Sequence, residues 1–314
     1  MKIDLVYLWC DANEKKIKNK KQKYISLMSY KEIQNNNFAL NDCRWRDNDE
    51  LKYSLRSVEK FIPWINHIYI VTDNQIPSWL DTNNPKITII DHKDIIPEKY
   101  LPTFNSNVIE AHLPYIKELS EYFLYANDDC FVNDYLEPSY FFTKNGKPII
   151  NVKKSKLRYS NNKTYQNQLL ILQKEINEKF NTKYLIEDSH NIIPYRKSFL
   201  TDNLNDKFAK KWFDTTFLHK FRSEEDVQRF IHVLLDNIKK RNILRIQHKH
   251  TINIFLTIFS KTNFLYINHN PQIILKRKPK LFCVNDEENS SDETIFNNIK
   301  FLKHYFHTKS QFEK

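Results

Sequence analysis

Three acidic clusters follow directly on apolar runs: Asp11 after KIDLVYLW, Asp73 after HIYIVT, and Asn127-Asp128-Asp129 after EYFLYA. Ligands of open parallel sheets collect beyond the carboxyl ends of the strands. Neighbouring carboxylates there supply the hard oxygen ligands that hold Mg²⁺ or Mn²⁺ against a diphosphate. Asp128 and Asp129 are the candidate metal ligands, although a solvated turn would use the same residues. The stretch CRWRDNDELKYSLRS, residues 43–57, sets Arg44, Arg46 and Arg56 around a helix start. Asp47 is spaced to cap that helix, with Glu50 bonding back to it as a capping box. The three guanidiniums are then left for phosphate oxygens, which accept their paired donors. FRSEEDVQ repeats the arrangement, with Ser223 and Asp226 as an S-x-x-D box and Arg222 just before it. Among eleven histidines, His190 lies in the polar loop DSHNIIPYRKS with Arg196 and Lys197 close behind, and it is the candidate to remove a hydroxyl proton. His248 and His250, two apart in QHKHT, fit an exposed strand face better than a metal site.

Positioning these groups needs elements that end beside them. KIDLVYLW, HIYIVT (67–72), KITIID (86–91) and EYFLYA (121–126) read as buried strands. Leu51, Leu55, Val58 and Ile62 recur at helical spacing, and NSNVIEAHLPYIKEL (105–119) reads as a helix capped near Ser106. Strand and helix alternating over the first 140 residues imply an α/β fold, with a mostly parallel sheet and helices on both faces. The middle is mainly helical, clearest at 167–180 and 224–240, and the chain closes with LFCVNDE and an amphipathic stretch at 292–306.

Composition narrows the classes. The single glycine, Gly146, excludes P-loop and dinucleotide fingerprints, so phosphate must be held by side chains and helix N-termini. Four cysteines without a CxxC pair point to reduced, buried thiols. The net charge of +11 suits phosphorylated substrates, an anionic membrane surface or nucleic acid, and compositional bias would also produce it. No apolar run reaches the roughly 18 residues of a membrane span, and residues 1–20 lack a signal-peptide core, so a cytoplasmic protein is expected.

Several of these stretches closely resemble the Stealth family. IDLVYLWCD (3–11), RWRDNDELKYSLRSVEKFIPWINHIYIVTDNQIPSWL (44–80), LPTFNSNVIEAHL (101–113) and FLYANDDCF (123–131) match its first two conserved regions. HNIIPYRKSFL (190–200) through FRSEEDVQ (221–228) resembles the third, and FCVNDEEN (282–289) the fourth. After VYLWCD, where the family usually continues with glycine and another acid, this chain reads ANEKK. The resemblance implies a nucleotide-sugar-transferase-like core, GT-A-like or Rossmann-like, with a helical insertion. Residues 1–150 would bind the nucleotide sugar, 151–250 would carry His190 and Arg222, and 251–314 would complete the core. Because the chain begins at the first region, no additional N-terminal acceptor-binding domain is expected.

The activity implied is transfer of a hexose-1-phosphate from a UDP-sugar to an acceptor hydroxyl, with release of UMP. By that similarity His190 is the catalytic histidine, Arg222 the essential arginine, and Asp11 and Asn285-Asp286 line the site. Arg44, Arg46, Asp47, Asp49, Arg56, Asn74, Gln75, Asn105 and Ser106 are the further substrate-binding candidates, and Asp128 and Asp129 would hold Mg²⁺ or Mn²⁺. An oligosaccharide or lipid-linked glycan would be the acceptor, with peripheral contact at the anionic inner membrane and no nucleic acid. A metal-dependent glycosyltransferase releasing UDP is the competing reading.

Overall fold

Four strands lie side by side and parallel: β1 (Ile3–Leu8), β2 (Ile68–Thr72), β3 (Ile87–Asp91) and β4 (Tyr122–Asn127), in the order β3-β2-β1-β4. β8 (Ile193–Arg196) extends this sheet antiparallel to β4, with Tyr125 opposite Ile193. The computed structural model describes residues 1–30, 33, 37–154, 158–159, 164–247, 264–267, 271–286 and 290–314, so His248 and His250 lie outside the described residues.

Side chains alternate between the faces with the strand period of two. Leu5, Tyr7, Ile68, Ile70, Leu124 and Ala126 pack on one face against Leu51, Leu55 and Val58 of the helix Glu50–Phe61. Val6, Tyr69, Val71, Phe123 and Tyr125 pack on the other against Phe230, Ile231, Leu234 and Leu235 of the helix Phe230–Ile238. Burial on both faces explains why the strands read as continuous apolar runs.

Two small sheets flank the main one. β6 (Ile149–Lys154), β7 (Ile186–Asp188) and β9 (Ile243–Gln247) form the first, in the order β7-β6-β9. β5 (Cys130–Val132), β10 (Phe264–Ile267) and β11 (Leu281–Val284) form the second, in the order β10-β11-β5. The middle of the chain is therefore less purely helical than its sequence suggests. Among the described residues no helix is long and apolar enough to cross a membrane.

The capping box expected at 47–50 is replaced by a tighter turn, and the one expected at 223–226 forms its Ser223–Asp226 bond but on a turn that no helix follows directly. The helix Glu50–Phe61 is entered through Asp49 in the left-handed region, φ 64°. That turn draws Glu50 back onto Asn48, whose N–H donates to it at 2.6 Å, while Asp47 Oδ1 accepts from the Asp49 N–H at 3.1 Å. At 223–226 the Ser223 N–H donates to Asp226 Oδ2 at 2.9 Å, closing a turn rather than starting a helix. The other Asp226 oxygen faces His219 Nδ1 at 2.6 Å, and the helix begins only at Phe230.

Candidate active site

The carboxyl ends of β1, β2 and β4 open on a common mouth. Because β8 runs the opposite way, its amino end faces that mouth too and delivers His190 beside Asn127. The result is a cleft of about 250 Å³ whose walls include His190, Arg222, Asn127, Asp128, Asp129, Arg44, Arg46, Asp73, Ser106, Asn285 and Asp286. Segments as far apart along the chain as Trp9 and Asp286 thus meet. Trp9, Trp45 and Phe104 add aromatic faces suited to a nucleobase or a sugar ring.

His190 sits at φ 44°, its N–H donating to Asp188 Oδ1 at 2.9 Å. Its Nε2 lies 3.5 Å from Asp129 Oδ2 and 3.5 Å from Asn127 Nδ2. Cys283 Sγ donates to Asp129 Oδ2 at 3.1 Å and Cys130 Sγ to Oδ1 at 3.5 Å. Burial alone would lift the Asp129 carboxyl, but the charge of His190 and these hydrogen bonds outweigh it and hold the carboxyl below its ordinary value. Asp128 is opposite in character: burial, then the charges of Asp129, Glu50 and Asp47, push it well above the carboxylate range. Burial likewise raises Glu50 to about 8 and Asp47 to about 6.

Asp128 and Asp129, the expected metal ligands, thus sit in unlike surroundings. They occupy a two-residue turn between β4 and β5, where consecutive side chains diverge. Asp129 turns to the imidazole and the thiols, and Asp128 turns to the carboxyl groups of Glu50 and Asp47. Among the described residues, Asp129, Cys130, His190 and Cys283 form a group able to hold a metal ion. Three further carboxyl groups, Glu50, Asp128 and Asp286, line the same cleft. The Asp286 side chain is 9% exposed, and Arg46 Nε stands 3.1 Å from its Oδ2. That approach is poorly aligned, and neither Asp286 oxygen accepts a hydrogen bond within the described structure. Glu50 and Asp286 meet across a small void with Asn48 and Asn285. Asp128, raised by burial and the carboxyl charges around it, and Asp286, whose oxygens accept no hydrogen bond within the described structure, suit a divalent cation, while Glu50 already accepts from Asn48.

Arg222 is anchored by donating Nη2 to the Ser106 hydroxyl. Burial pulls its guanidinium pKa down, opposed by the charge of Glu110. Asp226 fixes this corner, accepting from Asn105 Nδ2 at 2.7 Å, and Asn105 in turn caps the helix Ser106–His112.

Other candidates stand apart from the cleft walls. Arg56 is fully engaged elsewhere, donating Nε and Nη2 to the two carboxylate oxygens of Glu313 and Nη1 to the Phe306 carbonyl. Asp49 pairs with Lys52 at 2.7 Å. Asp11 and Gln75 staple each other at the rim: Gln75 Oε1 accepts the Asp11 N–H and Nε2 donates to the Asp11 carbonyl, while Asn74 forms the left-handed turn alongside. Asp47 and Asn105 stand behind the walls, not in them.

Sequence reading missed the network behind His190. Arg229 donates to Asp188 Oδ2 at 2.7 Å and to both oxygens of Glu110 at 3.3 and 3.4 Å. Glu110 accepts from the Tyr125 hydroxyl, which also contacts Asn127. The histidine is thus held through its backbone by Asp188 and at its ring by Asn127. The only local sign was at Glu110, a charge set between the apolar Ile109 and Ala111.

The conserved region 2 model of Stealth proteins matches residues 44–150. The capsular polysaccharide phosphotransferase WcwK of Streptococcus pneumoniae is 32% identical, the match covering 99% of this chain and 99% of WcwK. The capsular polysaccharide phosphotransferase fcs1 of Haemophilus influenzae is 32% identical over 97% of this chain and 84% of its own length. The exopolysaccharide phosphotransferase cps2G of Lactiplantibacillus plantarum is 32% identical over 99% of this chain and 96% of its own. Superposition on the galactosyltransferase LgtC covers 98% of both chains at 10% identity, with a TM-score of 0.43.

Proposed function

The chain belongs to the Stealth family of polysaccharide phosphotransferases, and from that premise we propose that it moves a hexose-1-phosphate from a UDP-sugar to an acceptor sugar hydroxyl. The reading is supported above all by the convergence of His190, Arg222 and the 127–129 turn on one cleft with Arg44 and Arg46. His190 takes the proton of the acceptor hydroxyl as its oxygen attacks the β-phosphorus. The bond from that phosphorus to the bridging oxygen breaks, and UMP leaves with the oxygen. Asp129 stabilises the imidazolium that forms. Arg222, Arg44 and Arg46 neutralise charge on the phosphoryl oxygens, the usual main source of catalysis in such transfers.

Asp128, Glu50 and Asp286 are the residues that would hold Mg²⁺ or Mn²⁺. Bound there, the ion would draw charge from the diphosphate. The acceptor is an oligosaccharide or a lipid-linked glycan. The lysine-rich helix Lys15–Ile25 keeps Lys15, Lys16, Lys18 and Lys23 exposed, which suits an anionic leaflet. Sedimentation with anionic but not neutral vesicles is the expected result.

The deciding assay incubates the protein with UDP-sugars and capsule oligosaccharides, resolves the nucleotides, and examines the product by phosphorus NMR. UMP with a phosphodiester signal is expected. UDP with a glycosidic product would overturn the proposal in favour of a glycosyltransferase.

A further inference from the structure

Two thiols for which the transfer has no chemical use stand beside the proposed base. Cys130 on β5 lies directly opposite Cys283 on the antiparallel β11, so the register itself brings their side chains together. Both are buried, at 2% and 0% exposure. With Asp129 and His190 they present one carboxylate oxygen, one imidazole nitrogen and two sulfurs, all within 4.8 Å of one another. Three separations are known more closely: Cys283 Sγ to Asp129 Oδ2 is 3.1 Å, Cys130 Sγ to Oδ1 3.5 Å, and His190 Nε2 to Oδ2 3.5 Å. Ligands about 2.0–2.3 Å from a tetrahedral zinc ion stand roughly 3.3–3.8 Å from each other. The separations from the Asp129 carboxylate are already near that spacing, and the remaining ones lie within 4.8 Å.

We propose that Asp129, Cys130, His190 and Cys283 form a site for a thiophilic divalent cation, Zn²⁺ foremost, whose binding silences the enzyme by capturing the His190 nitrogen. The inhibitory half rests on the reading of His190 as the base, whereas binding does not. Donor type separates this site from the proposed magnesium position: two sulfurs and an imidazole select zinc or cadmium, while magnesium takes oxygen. Burial lifts the Cys283 thiol well above its ordinary value; at Cys130 the hydrogen bond to Cys283, which lowers it, is outweighed by burial and the charge of Asp129. A metal ion displaces the thiol protons directly, two S–H bonds giving two metal–sulfur bonds and two released protons. Entry is from the substrate side, because the side chains of His190 and Asp129 are 30% and 16% exposed at the cleft. Zinc and substrate therefore compete.

The test titrates chelator-treated protein with Co²⁺. Tetrahedral cobalt on thiolate gives strong visible bands and a sulfur-to-metal charge-transfer band. One equivalent should bind, be displaced by Zn²⁺ and survive excess Mg²⁺. Cys283→Ser and, independently, Cys130→Ser should each abolish or shift the bands, with folding checked by circular dichroism. Each should raise the half-inhibiting Zn²⁺ concentration at least about tenfold against that variant's own zinc-free rate, a change of roughly 1.4 kcal/mol in binding. Absence of the charge-transfer band in folded protein would overturn the proposal. So would bands that persist unchanged in both variants, which would move the metal to Cys10 or Cys43 at the same cleft, or equal zinc inhibition of both variants. Cobalt binding needs no turnover. Bands at the named thiols in a protein that transfers nothing would support the site while refuting the functional reading.

Discussion

Replacing Arg56 by methionine separates an arginine that holds the fold from those that hold phosphate. The Arg56 and Glu313 side chains are 11% and 4% exposed and meet through two hydrogen bonds of 2.7 and 2.6 Å, with a third from Arg56 to the Phe306 carbonyl. Removing one member of such a buried pair strands the other charge and costs about 3–5 kcal/mol. At about 2 °C per kcal/mol for a chain of this size, that lowers Tm by roughly 6–10 °C. Pairing Arg56→Met with Glu313→Met should restore most of it, because an apolar replacement of both partners leaves no stranded charge. Per folded molecule, kcat/KM should stay within about twofold of the parent.

The deficit carries a pH signature. Burial would raise the Glu313 carboxyl, but its bonds to Arg56 and Ser310 outweigh this and depress it below 4.5. A depressed carboxylate contributes stability that is complete above its unfolded value and lost as pH falls through its folded value. The gap between parent and variant should therefore be full at neutral pH and close below about 4.5. Thermal and urea unfolding across pH measure it. An Arg56→Met protein with unchanged Tm and transfer reduced more than about tenfold would refute the reasoning and return Arg56 to the phosphate site.

His190→Ala should lower kcat by about 10²–10⁴ with little change in Tm, measured by UMP release. Arg222→Lys keeps the charge but not the planar donor set, and should lose about 10²-fold in kcat. Arg229→Met leaves Glu110 and Asp188 buried without their partner, and should cost about 3–5 kcal/mol in urea unfolding, with Glu110→Gln in the same chain recovering part of it. His232 is buried against Phe213 and depressed from 6.5 to about 3, first by desolvation. The unfolded chain binds its proton first, so stability falls as pH drops from 6.5. His232→Phe should flatten that slope by up to about 1.4 kcal/mol per pH unit.

The sheet was legible because its strands are buried on both faces, so β2, β4 and, after Asp4, β1 stand out as apolar runs. The mouth was legible for a related reason: acids placed just past such runs must emerge at the strand ends. Arg44 and Arg46 precede their helix and reach the cleft, whereas Arg56 lies within the helix, facing residues 306–313. Nothing local distinguishes the three, since the partner of Arg56 is 257 positions away. Asp128 and Asp129 differ in surroundings because adjacency along a turn does not imply a shared direction. The opposition of Cys130 and Cys283 depends on a register between β5 and β11 that no short-range pattern encodes.

The positive φ of His190 gives it a mechanical position as well as a chemical one. It stands two residues after Asp188, the last residue of β7, and three before Ile193, the first of β8. The small β7-β6-β9 sheet is thus joined to the main sheet through the four residues that include the imidazole. Ser189, Asn191 and Ile192 are buried and the Ser189 hydroxyl donates to the Asn151 carbonyl of β6, so the ring is carried on a segment clamped by both sheets.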